Sequence, residues 1–421
     1  MPVLTKASVE HEFTTDVDIS SQEFWRGTPA EREVSWARLR NEAPVSFHPP
    51  IEVPFEHEEK GFWAIVRAKD ITSVARADDD FLSGFGLAAE AVPPELVKAN
   101  LFFHGMDGAE HQKYRGLVSA AFTPKQIGRI IDQIHANATI IVDDLQGAGE
   151  VDFVTAVARR LPLLTGAMMF GVPDSEQDAF AAASEKFVGR NDSELGNPAD
   201  PLKAVREAKE TLYGLGSSLA AYRRRHPADD LMNDLVSAEI DGARLTDDDI
   251  GAFTFLMAVA ATDTTKQTTS HTMLALTNNP GQRAWLMEDF DGRIKGAANE
   301  FVRYATPIIH HARTASRDLV FEGQEIAAGD KVVLFYSAGN RDETLFTDPM
   351  KFDLARKPNP HISFGGGGVH FCLGSRVALT QLEALYGELL GRFPNIEVTG
   401  EPEYLSSRAI NGIKHLPVRV S

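Results

Sequence analysis

Between Thr246 and Pro280 the chain runs for 32 residues, Asp247–Asn278, with no proline and one glycine. Thr246 is a ready N-cap, three aspartates follow it in the first turn, and Pro280 stops the run. At 1.5 Å per residue this predicts a helix ~48 Å long, enough to cross a whole domain. A helix of that length needs a large body around it. The chain supplies one, since 421 residues at 43% hydrophobic and 24% charged bury a sizeable core, whereas disorder would need low hydrophobicity and high charge. At ~150 residues per domain the length suggests roughly three domains. No linker divides the chain, however, and a single domain over residues 1–421 is the reading adopted.

Charge and cysteine content narrow the function. Sixty acidic against 42 basic residues give −18, which argues against a wide basic surface for nucleic acid or anionic lipid. The only cysteine, Cys372, excludes an intrachain disulfide and a zinc site built on several thiolates, and it fits the cytosol. The first residues, MPVLTKASVEHEF, lack the charged and apolar regions of a signal peptide. The longest nearly apolar run, 251–261, is far short of the ~20 residues that span a bilayer.

Elsewhere the pattern is mainly α with small β-sheets. A helical stretch covers SQEFWRGTPAEREVSWARLRNEAP, ending at Pro44, and short strands are expected at 45–47 and 61–66 around a solvated hairpin loop. Glycine and proline break every period over 81–100, which reads as a long mobile loop. A helix is expected from Gly108 to Phe122 with Asp107 as its N-cap. Helical patterns then dominate to residue 240, with GRNDSELGNPADP as a loop between two of them. Short strands return at 319–325, 331–336 and 415–420. No repeat or low-complexity tract is present.

The most specific segment is HISFGGGGVHFCLGSR, a glycine run leading to Cys372 and then to a helical stretch. A cysteine near a helix N-terminus is favoured as a thiolate by unpaired amides and the helix dipole. Glycines let backbone approach closely. The plain alternative is a glycine turn beside a structural cysteine. A phosphate loop is excluded, because no Gly-Lys-Ser/Thr follows.

With Phe364, Gly366, Gly368, His370, Cys372 and Gly374 in this order, the segment resembles the thiolate loop of the cytochromes P450. Phe364 stands eight residues before Cys372 rather than the usual seven, so one glycine is inserted, as in some actinobacterial lipid and steroid hydroxylases. Four further motifs extend the resemblance from about residue 30 to the C-terminus. Glu300-Phe-Val-Arg303 is an E-x-x-R whose spacing puts both side chains on one helix face. On its own it is a surface ion pair; the resemblance makes it, with Arg356, a buried structural triad. AATDTT at 260–265 interrupts the long helix with β-branched residues of poor propensity. A solvated polar face is one explanation, but the preceding FTFLMAV is too apolar for it. By resemblance, Asp263 and Thr264 are the acid and alcohol that deliver protons to dioxygen, with Ala261 where the family usually has glycine. A threonine hydroxyl that bonds the i−4 carbonyl also bends a helix. His111 and Arg115, four apart on one helix, and Arg313 and His361 match family contacts to haem propionates. An ordinary polar helix face is the alternative for the first pair.

The resemblance therefore implies a haem-thiolate monooxygenase with haem b, Cys372 as proximal iron ligand and Phe364 and Gly366 shaping the loop around it. The reaction inserts one atom of O2 into a C–H bond with two electrons from outside the chain, from a ferredoxin and ferredoxin reductase. Lys113, Lys125, Arg129 and Arg376 are candidates for a local basic docking patch. The stripe of the long helix that shares a face with Thr264 gives Phe253, Leu256, Met257 and Ala260, and Ile308 and Ile309 join them by resemblance, as Phe81, Phe85 and Leu87 do from the broken loop. This lining points to a terpenoid, steroid or similar bulky apolar substrate. His310 and His311 are candidates for holding a hydroxyl, ketone or carboxylate, or for packing in the core or facing a propionate. Rival readings are a cysteine hydrolase using Cys372 and His370, which lacks an orienting third group, a non-catalytic haem sensor, and a peroxide-driven haem enzyme. Asp263 and Thr264 speak against the last two.

Overall fold

A computed structural model describes residues 11–93, 102–119, 124–240 and 242–421, apart from the side chains of 124–126, 129, 240 and 243. These residues group into two units woven from alternating stretches of chain. One draws on Met1–Gln112, Ile308–Met350 and Pro360–Cys372, the other on Lys113–Pro307, Lys351–Asn359 and Leu373–Ser421.

The first unit is built on a sheet of β1 (Val45–His48), β2 (Phe62–Ile65), β3 (Phe81–Leu82), β4 (His310–Ala315) and β7 (Lys331–Phe335), in the order β1-β2-β7-β4-β3. Only β2 and β7 run parallel. A hairpin, β5 (Leu319–Phe321) and β6 (Gln324–Ile326), lies between β4 and β7 in sequence. Alternation of side chains sorts the strand residues into two cores. Phe62, Ala64, Val333 and Phe335 join Trp36 and Leu39 of helix α1 (Pro29–Glu42). Trp63, Ile65, Val332 and Leu334 join Ile71 and Val74 of α2 (Ala68–Arg76). With both faces covered, β2 reads as an unbroken apolar run.

Several local expectations change here. The helical stretch expected from Ser21 to Pro44 is two helices, Gln22–Arg26 and α1, parted at Gly27. Thr28 opens α1 through a capping box: the Glu31 carboxylate accepts from Thr28 N–H at 2.7 Å, and the Thr28 hydroxyl accepts from Glu31 N–H at 3.3 Å. The described part of the segment expected to be mobile, 81–93, is tied down: Phe81 and Leu82 pair with β4, and the Leu87 carbonyl accepts from Ala312 N–H at 2.8 Å. The rest of that expected loop, 94–100, lies outside the described residues. Asp107 stands just before its helix, and its carbonyl accepts from His111 N–H at 3.2 Å, as the residue at the cap position does. Its carboxylate accepts from Ser83 N–H at 2.7 Å and Gly84 N–H at 2.9 Å instead, a tertiary use that wins over the local one.

The helices continue as α3 (Gly108–Ser119), within which the unit boundary falls, then α4 (Pro124–Asp143), α5 (Arg160–Phe170), α6 (Asp174–Val188), α7 (Pro201–Arg223), α8 (Asp247–Asn278), α9 (Pro280–Glu288), α10 (Phe290–Ala305) and α11 (Ser375–Arg392). The long helix has the bounds its sequence predicts. Thr246 and Asp249 close a capping box at its start, and α5, α6, α7 and α10 pack along it. At its middle any side chain on Gly166 of α5 would begin 3.4 Å from the Ala261 methyl, so a glycine on the neighbouring helix makes room for the alanine. A small sheet of Glu150–Asp152, Pro417–Arg419 and Glu397–Val398 completes the second unit with short hairpins. Among the described residues no helix is long and apolar enough to cross a membrane.

Candidate functional site

In the first unit the 364–372 loop is shaped by four consecutive glycines with positive φ: +101° at Gly365, +72° at Gly366, +104° at Gly367 and +74° at Gly368. L-residues adopt these torsions only with strain. The loop closes through three backbone bonds, Gly365 N–H to Ile362 O at 2.9 Å, Phe371 N–H to Gly368 O at 3.2 Å, and Cys372 N–H to Phe364 O at 3.1 Å. It lies against the end of α2, where a Cβ on Gly368 would fall 2.1 Å from the Ala75 carbonyl oxygen. Cys372 is exposed, two residues before Gly374, the N-cap of α11. The rings of His361, Phe364 and Phe371 follow one another along the loop, the first pair tilted at 5.5 Å between centroids and the second edge-on at 6.2 Å.

Beside this loop the unit gathers cations and imidazoles. Arg313 of β4 is 4% exposed, and its Nη1 donates to the Ala312 carbonyl at 2.8 Å. Among the described residues no carboxylate lies within ion-pair reach of it. Burial draws its guanidinium below the usual value, and Tyr336 and Asp107 oppose this from further away. His311 is held neutral, well below 6.5, by burial first and then by the positive influence of His104, Arg313, His310 and His370. The rings of His104 and His311 are 4.9 Å apart, and those of His111 and His370 are 4.3 Å apart. Ser83 meets His370 Nε2 at 3.1 Å. His310 packs in the core between Trp25 and Phe335, its Nε2 accepting from Ala89 N–H at 3.0 Å.

A haem asks for a thiolate at its iron and cations at its carboxylates. An exposed cysteine and a buried arginine that, among the described residues, has no anion at ion-pair distance lie within one unit and fit that demand. His111 is buried at one end of α3 and Arg115 stands half-buried four residues later; His361 is half-buried at the start of the loop. Nothing in the sequence marks His104 as a member of this group. Nor did it place α2 under the glycines.

In the second unit the middle of α8 is buried, not solvated. Thr262, Thr265, Thr268, Thr269 and Thr272 are all within the core. Four of these hydroxyls bond within the helix: Thr262 donates to Ala258 O at 2.6 Å, Thr268 to Thr264 O at 3.0 Å, Thr269 to Thr265 O at 2.9 Å and Thr272 to Thr268 O at 2.7 Å, and that of the less buried Thr264 donates likewise to Ala260 O at 3.0 Å. Asp263 is buried. Its Oδ1 accepts from Lys266 Nζ at 2.6 Å and its Oδ2 from Ser184 Oγ of α6 at 2.6 Å. The two residues expected to act together, Asp263 and Thr264, thus lie side by side in sequence with separate partners.

The E-x-x-R pair meets Arg356. Arg303 grips Glu300 with two bonds of 2.7 Å, Arg356 Nε lies 3.2 Å from Glu300 Oε2, and Asp353 N–H and Asn359 Nδ2 fill the remaining sites on the carboxylate at 2.9 and 3.2 Å. The isolated surface pair is therefore not what forms. Of the expected substrate lining on α8, Phe253 is fully buried with its ring 5.5 Å from Phe170 of α5, Met257 is buried, Leu256 is half-buried and Ala260 is exposed. In the first unit Ile309 lies in the core with Phe335, and Ile308 packs partly buried against the other core. Lys113 and Arg376 are exposed; the side chains of Lys125 and Arg129 are outside the described residues.

The sequence profile described as Cytochrome P450 matches residues 97–403. Among curated relatives, a methyl-branched lipid omega-hydroxylase of Mycobacterium tuberculosis is 37% identical over 406 residues, covering 96% of this chain and 94% of that protein. A steroid C26-monooxygenase of Rhodococcus jostii is 36% identical over 389 residues, 91% of this chain and 80% of that protein. Among solved structures, a cytochrome P450 of Mycobacterium marinum in complex with pseudoionone matches with a TM-score of 0.94 at 47% identity, over 98% of this chain and 100% of that one.

Proposed function

Because the chain belongs to the cytochrome P450 family of haem-iron, oxygen-incorporating oxidoreductases, we propose that it hydroxylates a bulky apolar molecule of terpenoid, steroid or methyl-branched lipid type. The observation that carries the substrate class is the pair of curated relatives, named for methyl-branched lipids and steroids, each matched over more than nine-tenths of this chain. The chain's own residues agree with it. Phe253, Leu256, Met257, Ala260, Ile308 and Ile309 carry no charge, and a lining of this kind selects by apolar area at ~25 cal/mol per Å².

Haem b is the cofactor assigned. When bound, it supplies the reductive activation of dioxygen that puts one oxygen atom into a C–H bond and releases the other as water. Cys372 gives the thiolate that ligates it. Arg313, His111, Arg115 and His361 hold its carboxylates, and Phe364 and Gly366 shape the loop. Asp263 and Thr264 hold and move protons. Glu300, Arg303 and Arg356 keep the surrounding fold in place, since loss of one member strands a buried charge. Electrons come from a ferredoxin and its reductase in the cytoplasm, with Lys113, Lys125, Arg129 and Arg376 as the basic face for the ferredoxin; reduction then slows as salt rises. The two units are taken as parts of one domain, because each is assembled from three separated stretches of the chain.

The test is an optical titration of haem-loaded protein with pseudoionone, a cholestane steroid and a methyl-branched fatty acid, against amino acids and sugars. Saturable spectral shifts with the apolar compounds are expected. Response to a small charged metabolite alone overturns the substrate class. Loss of the carbon monoxide spectrum of thiolate-ligated haem in Cys372→Ser tests the ligand.

A further inference from the structure

Helix α1 buries two arginines on one face, and they are treated in opposite ways. Arg40 is 2% exposed and fully met. Its Nη2 donates to Glu33 Oε1 at 2.5 Å and Glu343 Oε1 at 2.7 Å, its Nε to Glu343 Oε2 at 2.9 Å and its Nη1 to Ala338 O at 3.2 Å. Arg32, two turns earlier and 9% exposed, has neither a hydrogen bond nor an ion pair among the described residues. The carboxylates of α1 are engaged elsewhere, Glu31 by Thr28, Glu33 by Arg40 and Glu42 by Arg38. The Arg32 guanidinium carbon lies over the Trp25 ring, 5.8 Å from its centroid. Trp25 Nε1 is buried and, among the described residues, has no acceptor; the Arg32 nitrogens are not sealed from solvent in that way.

Stability does not account for Arg32. A cation near the start of a helix opposes the helix dipole, and a guanidinium taken nine-tenths out of water with no partner is costly. Burial alone draws it down to about 10, which leaves it charged at neutral pH. Burial pulls on Arg40 too, but Glu343 and Glu33 hold that group above its usual value. An apolar side chain of similar volume would sit at the Arg32 position at lower cost. What the position offers is a forked cationic donor beside an aromatic face, in the first unit. Trp25 shares its core with Ala89 and with Ile309, one of the candidate lining residues. Two neighbouring donors without acceptors, one of them cationic, suit an anion better than a neutral group.

We infer that Arg32, walled by Trp25, is a carboxylate-binding subsite that holds the head group of an acidic apolar substrate. The inference deepens the proposed substrate class and rests on it. A planar guanidinium takes a carboxylate through two parallel N–H bonds, and partial burial strengthens the pair. An ester of the same chain brings no charge and gains little there. The subsite therefore sorts acids from esters and alcohols of equal apolar area, which an uncharged lining cannot do.

Calorimetric titration of the haem-loaded protein with a methyl-branched fatty acid, its methyl ester and acetate tests this. The wild type should bind the acid about tenfold or more tightly than the ester, and acetate far more weakly than either. Arg32→Met should bring the acid down to the ester and leave the ester within about twofold. Its denaturation midpoint should be unchanged or higher, because an unpaired buried charge is gone. Arg32→Lys, which keeps the charge and loses the fork, should lie between the two in acid binding. A lowered midpoint or failure to fold in Arg32→Met marks a structural arginine and overturns the subsite. So do acid binding that Arg32→Met leaves unchanged, an equal loss for acid and ester, and acetate bound as tightly as the acid. Acid and ester that bind the wild type equally well remove the subsite alone and leave the apolar substrate class standing. If neither binds the wild type, the substrate class fails and the subsite with it.

Discussion

In the 364–372 loop the geometry is set by the backbone, whereas between 258 and 272 of α8 it is set by side chains. Four successive positive φ values leave the loop one path, and three main-chain bonds close it. The middle of α8 keeps an ordinary helical backbone and hides its polarity instead, turning threonine hydroxyls onto carbonyls four residues back and enclosing charges in pairs. The difference teaches where each region is vulnerable. One fails when a Cβ is added, the other when a polar partner is removed.

The largest expected effect is on the helix. Lys266→Met leaves Asp263 and Glu185 buried without the cation between them and should cost about 3–5 kcal/mol in denaturant unfolding; a loss below about 1 kcal/mol would mean that these charges hold less than their burial implies. Gly368→Ala comes next. A torsion of +74° and a carbonyl 2.1 Å from the new Cβ should cost about 3 kcal/mol and disturb the carbon monoxide spectrum, whereas Gly365→Ala, strained at +101° but with its nearest atom at 3.7 Å, should cost about 1 kcal/mol. Equal costs at the two positions would break the claim that close approach to α2, as well as torsion, shapes the loop. Thr264→Ala tests function more than stability. Unfolding should shift by less than about 1 kcal/mol, since only a hydroxyl bonded to its own helix is lost, while product formed per electron falls as oxygen is diverted to peroxide. Undiminished coupling would remove Thr264 from the proton path.

The smallest effect concerns charges that are neither in the loop nor inside α8. His415 lies 2.9 Å from Glu194 and 3.2 Å from Asp152, with Lys414 bridging Glu194, Asp192 and Glu403. The hydrogen bond to Glu194, opposed by burial and reinforced by Asp152, raises the imidazole above 6.5. The protonated ring's share of stability is thus complete below that value and lost as pH climbs through the raised one. Asp152, Asp192 and Glu194 are lowered, so their share persists until acid reaches the carboxylate range. Protection against amide exchange over 189–200, the rate being corrected for its intrinsic base-catalysed rise, should fall modestly from about pH 6 to 8 and lose that dependence in His415→Gln. A dependence that survives the substitution would point to another group.

Parts of both regions can be read from residues alone. The ends of α8 follow from Thr246, Asp249 and Pro280, and a run of glycines before a cysteine announces a backbone-shaped turn. The E-x-x-R spacing places Glu300 and Arg303 on one face, but that they are buried, and that Arg356 joins them, takes a segment 53 to 56 residues further on. Lys266 reads as a polar interruption until Glu185 arrives from 81 residues away. Asp107 has the look of a side-chain cap, and its carboxylate serves Ser83 and Gly84 instead. Local signals lose in these cases because a buried polar group must be satisfied by whatever the fold brings near it.

The sequence by itself determined where the long helix starts and stops, that the approach to Cys372 is made of backbone only glycine adopts easily, and the family to which these motifs belong. Those properties depend on torsions, caps and spacings within one stretch of chain. Only the tertiary structure decided that β2 is covered on both faces, that Arg313 is buried within reach of a cluster of histidines and, among the described residues, of no carboxylate, and that Asp263 is turned to Ser184 and Lys266 instead of Thr264. Burial and Coulomb attraction act between whichever groups end up close in space, and their strength depends on how much water remains, which no single stretch of sequence specifies.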